Sequence, residues 1–139
     1  MRLVLDTNVV LTGIRSRSGA SAELLRQIRH GRARMVASVP LFVEYEDVLT
    51  RPEHLSAAGL TRAEAVAILD ALASILEPVE LHFLWRPQLR DGDDDMVLET
   101  AVNGNADALV TYNVRDFAAA SRFGVAIAKP PQILERIRR

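Results

Sequence analysis

The chain contains no cysteine, which excludes disulfide scaffolds and thiolate metal centres and fits a reducing compartment. Aromatic residues make up only 5%, and Trp85 with the others forms no platform on which bases could stack. No apolar run nears the roughly 20 residues needed to cross a bilayer. Asp6 arrives far too early for the apolar region of a signal peptide. A cytosolic protein with no membrane partner is expected. His30, His54 and His82 are scattered, without the helical pairing of a zinc site. Neither common glycine-rich phosphate loop is present, and no serine stands in a nucleophile elbow. The acids from Asp91 to Asp95 alternate like a calcium loop, but Met96 fills the position that needs glycine and Val102 the one that needs a bidentate glutamate. Asp6-Thr7-Asn8 also lacks the second aspartate of phosphatases that use an aspartyl nucleophile.

What is present is a globular composition. Of 139 residues, 49% are hydrophobic and 25% charged, enough for one domain with a substantial core. The net charge of −1 neither predicts nor forbids a nucleic-acid partner, but its distribution is uneven. Lys129 is the only lysine among 17 basic residues, and six arginines lie between Arg15 and Arg34 against one acid, Glu23. A further cluster, Arg136, Arg138 and Arg139, ends the chain. The planar guanidinium fork suits phosphate, so Arg15, Arg17, Arg26 and Arg29 are candidate backbone contacts. A solvated face in an arginine-rich protein is the competing explanation.

Short apolar runs alternate with helical patterns. Strands are expected at Leu3 to Leu5, Arg34 to Ala37, Val79 to Leu81, Ala108 to Thr111 and Val125 to Ile127. Helices are expected at Ser21 to His30, Pro40 to Thr50, Arg62 to Leu76, Asp95 to Asn103, Val114 to Ala120 and Pro131 to Ile137. Such alternation predicts an α/β fold: a mainly parallel central sheet of about five strands flanked by helices on both faces. Thr61 and Glu64 form a capping box. Gly31 and Gly104 follow helices where a left-handed residue is often needed, and Pro52, Pro78 and Pro87 each stop a helix from continuing.

Against this frame four acids sit where their own elements turn them inward or place them at a strand end. Asp6 closes the run Leu3-Val4-Leu5, at the edge where open α/β sheets bind ligands; a helix N-cap is its alternative reading. Glu44 lies three residues after Leu41 and four before Val48, on the apolar face of its helix. A salt bridge to a neighbouring arginine is the alternative there, while Glu46 and Asp47 point to solvent. Asp94 shares the face of Val97 and Leu98, with a helix N-cap as its alternative reading, whereas Asp95, four before Glu99, lies on a flank. Asp116 follows the strand Ala108 to Thr111; its alternative reading is a helix N3 residue accepting backbone donors, with Asn113 as the cap. Buried carboxylates are expensive without a cation or several donors, so acids converging on one place suggest a metal.

The combination resembles the PIN domain family, and within it the single-domain toxins of the VapC type. The resemblance rests on Leu5-Asp6-Thr7-Asn8-Val9-Val10, Glu44-Tyr45-Glu46-Asp47-Val48-Leu49, Arg90-Asp91-Gly92-Asp93-Asp94-Asp95, Ala106 to Thr111 and Asn113-Val114-Arg115-Asp116-Phe117. It implies a single PIN-like domain over residues 1–139 that cleaves RNA with magnesium or manganese, using one ion or a pair about 3.5–4 Å apart. It assigns Asp6, Glu44 and Asp94 as catalytic and metal-binding acids. The family's variable fourth acid falls on Asn113 here, so that role passes to Asp116 or is weakened. Thr7, Asn8, Thr111 and Asn113 would orient ligands or water, and Gly92 stands where relatives often have proline. A cognate antitoxin and a homodimer through helices are the partners implied. Other readings stay open: a non-toxin PIN nuclease in RNA processing, a PIN module that binds RNA or protein without cutting, and a phosphatase on a similar sheet.

Overall fold

β1 (Arg2–Leu5) is completely buried from Leu3 to Leu5, as an apolar run must be when both faces of a parallel sheet are covered. Around it the computed structural model, which describes residues 1–82 and 92–139, builds a five-stranded sheet. The other strands are β2 (Arg34–Ser38), β3 (Glu77–Val79), β4 (Ala108–Val110) and β5 (Ala126–Ala128). All pairings are parallel and the order is β3-β2-β1-β4-β5. The chain therefore winds from β1 to β2 to β3 in one direction, then returns past β1 to add β4 and β5. That reversal creates a switch point between β1 and β4, where Leu3, Val4 and Leu5 pair with Ala108, Leu109 and Val110. Ligands of open α/β sheets bind beyond the strand carboxyl ends at such a point.

Helices complete the layers: α1 (Thr7–Arg15) and α2 (Ala20–Arg29) between β1 and β2, then α3 (Val39–Leu49), α4 (Pro52–Ala58) and α5 (Arg62–Ile75) before β3. Next come α6 (Gly92–Asn103) before β4, a 3-10 helix (Val114–Phe123) before β5, and α7 (Pro130–Arg138) at the end. α1 packs on α2 and α3, α2 on α7, and α6 on β1, β2, β4, α3 and the 3-10 helix. The capping box of α5 forms as expected, with Glu64 N–H donating to Thr61 Oγ1 at 3.1 Å and Thr61 N–H to Glu64 Oε1 at 3.0 Å.

Several expectations are corrected. No helix is expected before Ser21, yet α1 begins directly after Asp6 and takes in the apolar residues Val9 to Leu11. Pro52 opens a helix instead of only closing one, because at the first helical position its missing N–H costs nothing. β3 runs through Pro78 rather than starting at Val79; it is an edge strand, where proline is tolerated. Gly92 begins α6, so Asp94 lies inside the first turn and not ahead of it. Gly104 is not left-handed; Asn105 takes that conformation at φ 50°. Gly104 is required by proximity instead, since a Cβ there would lie 2.9 Å from both the Thr100 carbonyl oxygen and Val79 Cγ2. The expectations for Trp85, Pro87 and Asp91 lie outside the described residues.

A second close approach occurs at Gly13, where α1 meets α2. A Cβ there would lie 2.6 Å from Leu25 Cδ1 and 3.2 Å from the Ser21 carbonyl. Leu25 can turn aside, but the Ser21 backbone cannot. Overpacking of this kind costs about 1–3 kcal/mol, against about 1 kcal/mol that alanine returns in helix propensity. Gly13→Ala is therefore expected to lower the urea midpoint; an unchanged or raised midpoint would show that the helices separate freely.

Candidate functional site

Asp6 is both things the sequence allowed, a strand-end acid and a helix N-cap. Its backbone is extended (φ −62°, ψ 150°), and its N–H donates to the Val110 carbonyl at 2.9 Å, carrying the β1–β4 pairing one residue past the strand. Its two carboxylate oxygens are engaged separately. Oδ1 accepts the Thr7 N–H at 2.8 Å, and Oδ2 accepts the Thr111 hydroxyl at 2.7 Å. Thr111 is fully buried and its Oγ1 also accepts the Asn113 N–H at 3.0 Å. The acid of β1 and the hydroxyl of β4 thus meet across the switch point, with Asp6 itself only 8% exposed. Beside it, Thr7 Oγ1 and Asn8 Oδ1 are buried with no hydrogen-bond partner among the described residues.

Glu44 projects from α3, half-buried and with its Oε2 buried. Its neighbours follow the expected phase: Leu41, Tyr45 and Leu49 are buried, and Glu46 and Asp47 are exposed, Asp47 pairing with Arg51 at 2.8 Å. Ser38 caps this helix, accepting the Leu41 N–H at 3.4 Å, and Pro40 stands in its first turn. Both Asp6 and Glu44 act electrostatically on the buried Tyr45 phenol, raising its pKa further after desolvation has raised it most. Both acids thus lie within electrostatic reach of one phenol, from different elements.

Asp94 lies in the first turn of α6, half-buried. Its phase differs from expectation. Asp95 and Glu99, assigned to a flank, are each 2% exposed, more buried than Asp94. The reason is that α6 is covered on nearly every side by the sheet, α3 and the 3-10 helix, so no flank faces water. Sequence phase overlooked these two acids. Helix phase gave no signal for them: Met96, Val97, Leu98 and Ala101 span roughly 200° of the helix and leave the arc of Asp95 and Glu99 polar.

Asp116 is exposed on the 3-10 helix, its N–H donating to the Asn113 carbonyl at 3.0 Å. Asn113 stands at the N-cap position yet makes no side-chain cap bond, which removes the capping explanation for it. Among the arginines, Arg15, Arg17 and Arg29 are exposed. Arg26 is occupied: it bonds Glu23 at 2.7 Å and 2.9 Å and the Arg17 carbonyl at 3.0 Å. Gln27 and Arg26 together hold the Glu23 carboxyl below its ordinary range.

Every side chain named at this edge offers oxygen, the ligand class of hard divalent cations. The buried, unpartnered oxygens of Thr7 and Asn8 beside Asp6 are what such an ion or its waters would satisfy. Among the described residues no three acids or histidines gather closely enough to cage an ion. The fit to a divalent ion therefore rests on the Asp6 carboxylate and the two unpartnered oxygens beside it; magnesium commonly takes one or two carboxylates and keeps its waters.

Comparison with known proteins agrees with the fold. Residues 2–115 match the PIN domain family. Among solved structures, the complex titled VapBC2 from Rickettsia felis bound to a DNA fragment from their promoter contains a similar chain. The likeness has a TM-score of 0.64 at 18% identity and covers 93% of this chain and 98% of that one. It shows a shared fold. No curated protein matches the chain.

Proposed function

Because the chain belongs to the PIN domain family, we propose that it is a metal-dependent ribonuclease and the toxin component of a toxin-antitoxin pair. The observation that carries this reading is Asp6, buried at the switch point with Thr111 on one oxygen and two unpartnered oxygens alongside. A bound magnesium or manganese ion would acidify the attacking water and neutralise charge on the scissile phosphate. Asp6 and Asp94 are assigned to hold it, and Asp116 to support a second ion. Glu44 takes the proton of the water as it attacks phosphorus. The P–O bond to the departing sugar oxygen breaks and that oxygen takes a proton from solvent. Thr111 keeps Asp6 oriented by its hydroxyl. Thr7, Asn8 and Asn113 position water and substrate.

Likeness to a chain of a VapBC2 complex and one surface of this chain support the protein partners. α3 leaves Val39 74% and Val43 55% exposed, apolar area that supports contact with another protein. A homodimer through this helix and a cognate antitoxin over the acidic edge are the assignments. A monomeric mass by light scattering at micromolar concentration would count against the dimer. No described helix is long and apolar enough to cross a membrane.

The deciding experiment is cleavage of a mixed RNA pool by purified protein in manganese, magnesium or chelator. Cutting that depends on the ion is expected, and cutting that persists in chelator would sink the proposal. The same preparation tests the arginines. Each phosphate contact contributes about 0.7 to the slope of log affinity on log salt for single strands, so Arg15, Arg17 and Arg29 together contribute about 2. Replacing those three with alanine should flatten the salt dependence by that amount, whereas Arg26→Ala should leave it nearly unchanged because Glu23 already neutralises that charge.

A further inference from the structure

Tyr45 follows Glu44 on α3 but points about 100° away from it, as consecutive helical residues do. It is fully buried, with its ring set edge-on to Phe42 at a centroid distance of 6.0 Å and an angle of 75°. Its hydroxyl donates to the carbonyl of Leu5. That carbonyl belongs to the peptide joining Leu5 to Asp6, whose N–H donates the other way, to Val110 at 2.9 Å. A trans peptide directs its two polar groups oppositely, so this single planar unit is gripped by β4 on one side and by α3 on the other. The β1–β2 ladder has registered only Arg2 and Leu3 with β2, so Tyr45 supplies the donor beyond the end of that pairing. A carbonyl oxygen can only accept, so the phenol hydroxyl is the donor in that bond.

We propose that Tyr45 is a positioning residue which fixes the separation of Asp6 and Glu44 by tying the peptide of one to the helix of the other. This rests on the reading of those acids as a metal-dependent nuclease site. The phenol touches neither substrate nor ion; it acts through the Leu5 carbonyl. Asp6 leaves the sheet at the residue after that carbonyl, and Glu44 precedes Tyr45 by one residue.

The test is Tyr45→Phe, which keeps the ring and removes only the donor. Manganese binding is read by calorimetry on metal-free protein, and kcat and KM are read separately on the cleaved RNA. Residues that orient metal ligands from behind typically cost about 10–100-fold in metal affinity or activity when altered. Loss of that size in both manganese affinity and kcat, with KM for RNA unchanged, is the expected result. Tyr45→Met, which also lacks the donor, must lose the same affinity. Leu41→Val, a lesion on the same buried helix face that spares the hydroxyl, must lose stability and keep its affinity. Circular dichroism verifies that each variant is folded. Wild-type manganese affinity and kcat in folded Tyr45→Phe would overturn the proposal. If the wild type binds manganese but cuts no RNA, the nuclease reading fails while the titration still decides the role of Tyr45. A wild type that binds no manganese overturns both.

Discussion

Asp6→Asn is expected to lower RNA cleavage by more than the roughly 10–100-fold that residues behind a metal ligand cost, while leaving the fold intact. The two halves of that expectation have different causes. Asparagine caps a helix about as well as aspartate, and its amide oxygen can still accept the Thr7 N–H that Asp6 accepts at 2.8 Å. Its amide nitrogen can donate to Thr111 Oγ1, reversing the bond now made at 2.7 Å. Packing is thus preserved, and a buried charge is removed, which relieves a desolvation cost in the metal-free protein. The metal-free variant should melt at or above the wild-type temperature. Manganese separates the two: at a hundredfold excess over its dissociation constant a ligand stabilises by about 2.7 kcal/mol, and only the wild type should gain that. Thermal midpoints with and without manganese, beside cleavage rates, check both halves. Wild-type cleavage by the variant, or equal stabilisation of both proteins by manganese, would remove Asp6 from the site.

How far this site was legible in the sequence differs from residue to residue. Asp6 was visible because a run of three apolar residues ended by an acid is a boundary in one dimension, and boundaries of buried strands are sheet edges. The sheet and its parallel pairing were visible for the same reason: β1, β2 and β4 are apolar runs separated by helical patterns. Glu44 was visible because α3 has one wet side, so its phase carries information. α6 has none, and there phase could not rank Asp94 against Asp95 and Glu99. What could not be read was anything that depends on strand order. The meeting of Asp6 with Thr111, 105 residues apart, requires β4 beside β1, and no local pattern states that. Gly104 shows the same limit, since the side chain that excludes a Cβ there belongs to β3. The VapC-type resemblance was carried by motif order along the chain, and the PIN domain family match covers the same motifs up to residue 115.

Phe117→Ala carries the largest expected loss of stability. The ring is completely buried, while Arg115 and Asp116 just before it are exposed. Side chains three apart eclipse in a 3-10 helix, and Phe117 and Ala120 are accordingly the buried pair, each 0% exposed. Their face packs against β5 and α6, so the ring holds the whole segment to the sheet. Emptying such a position costs about 3–5 kcal/mol, a third or more of the roughly 5–15 kcal/mol available to a domain. Urea unfolding should show that loss in one cooperative transition; a loss below about 1 kcal/mol would mean that the cavity collapses and the anchor is dispensable. The consequence for the site is separable from stability. Asn113 starts this segment and donates to Thr111 at 3.0 Å, and Asp116 is held in place by the residue after it. Well below the melting temperature, a fall in kcat would place Asp116 or Asn113 in the chemistry. An unchanged kcat in a destabilised protein would confine the working acids to Asp6, Glu44 and Asp94.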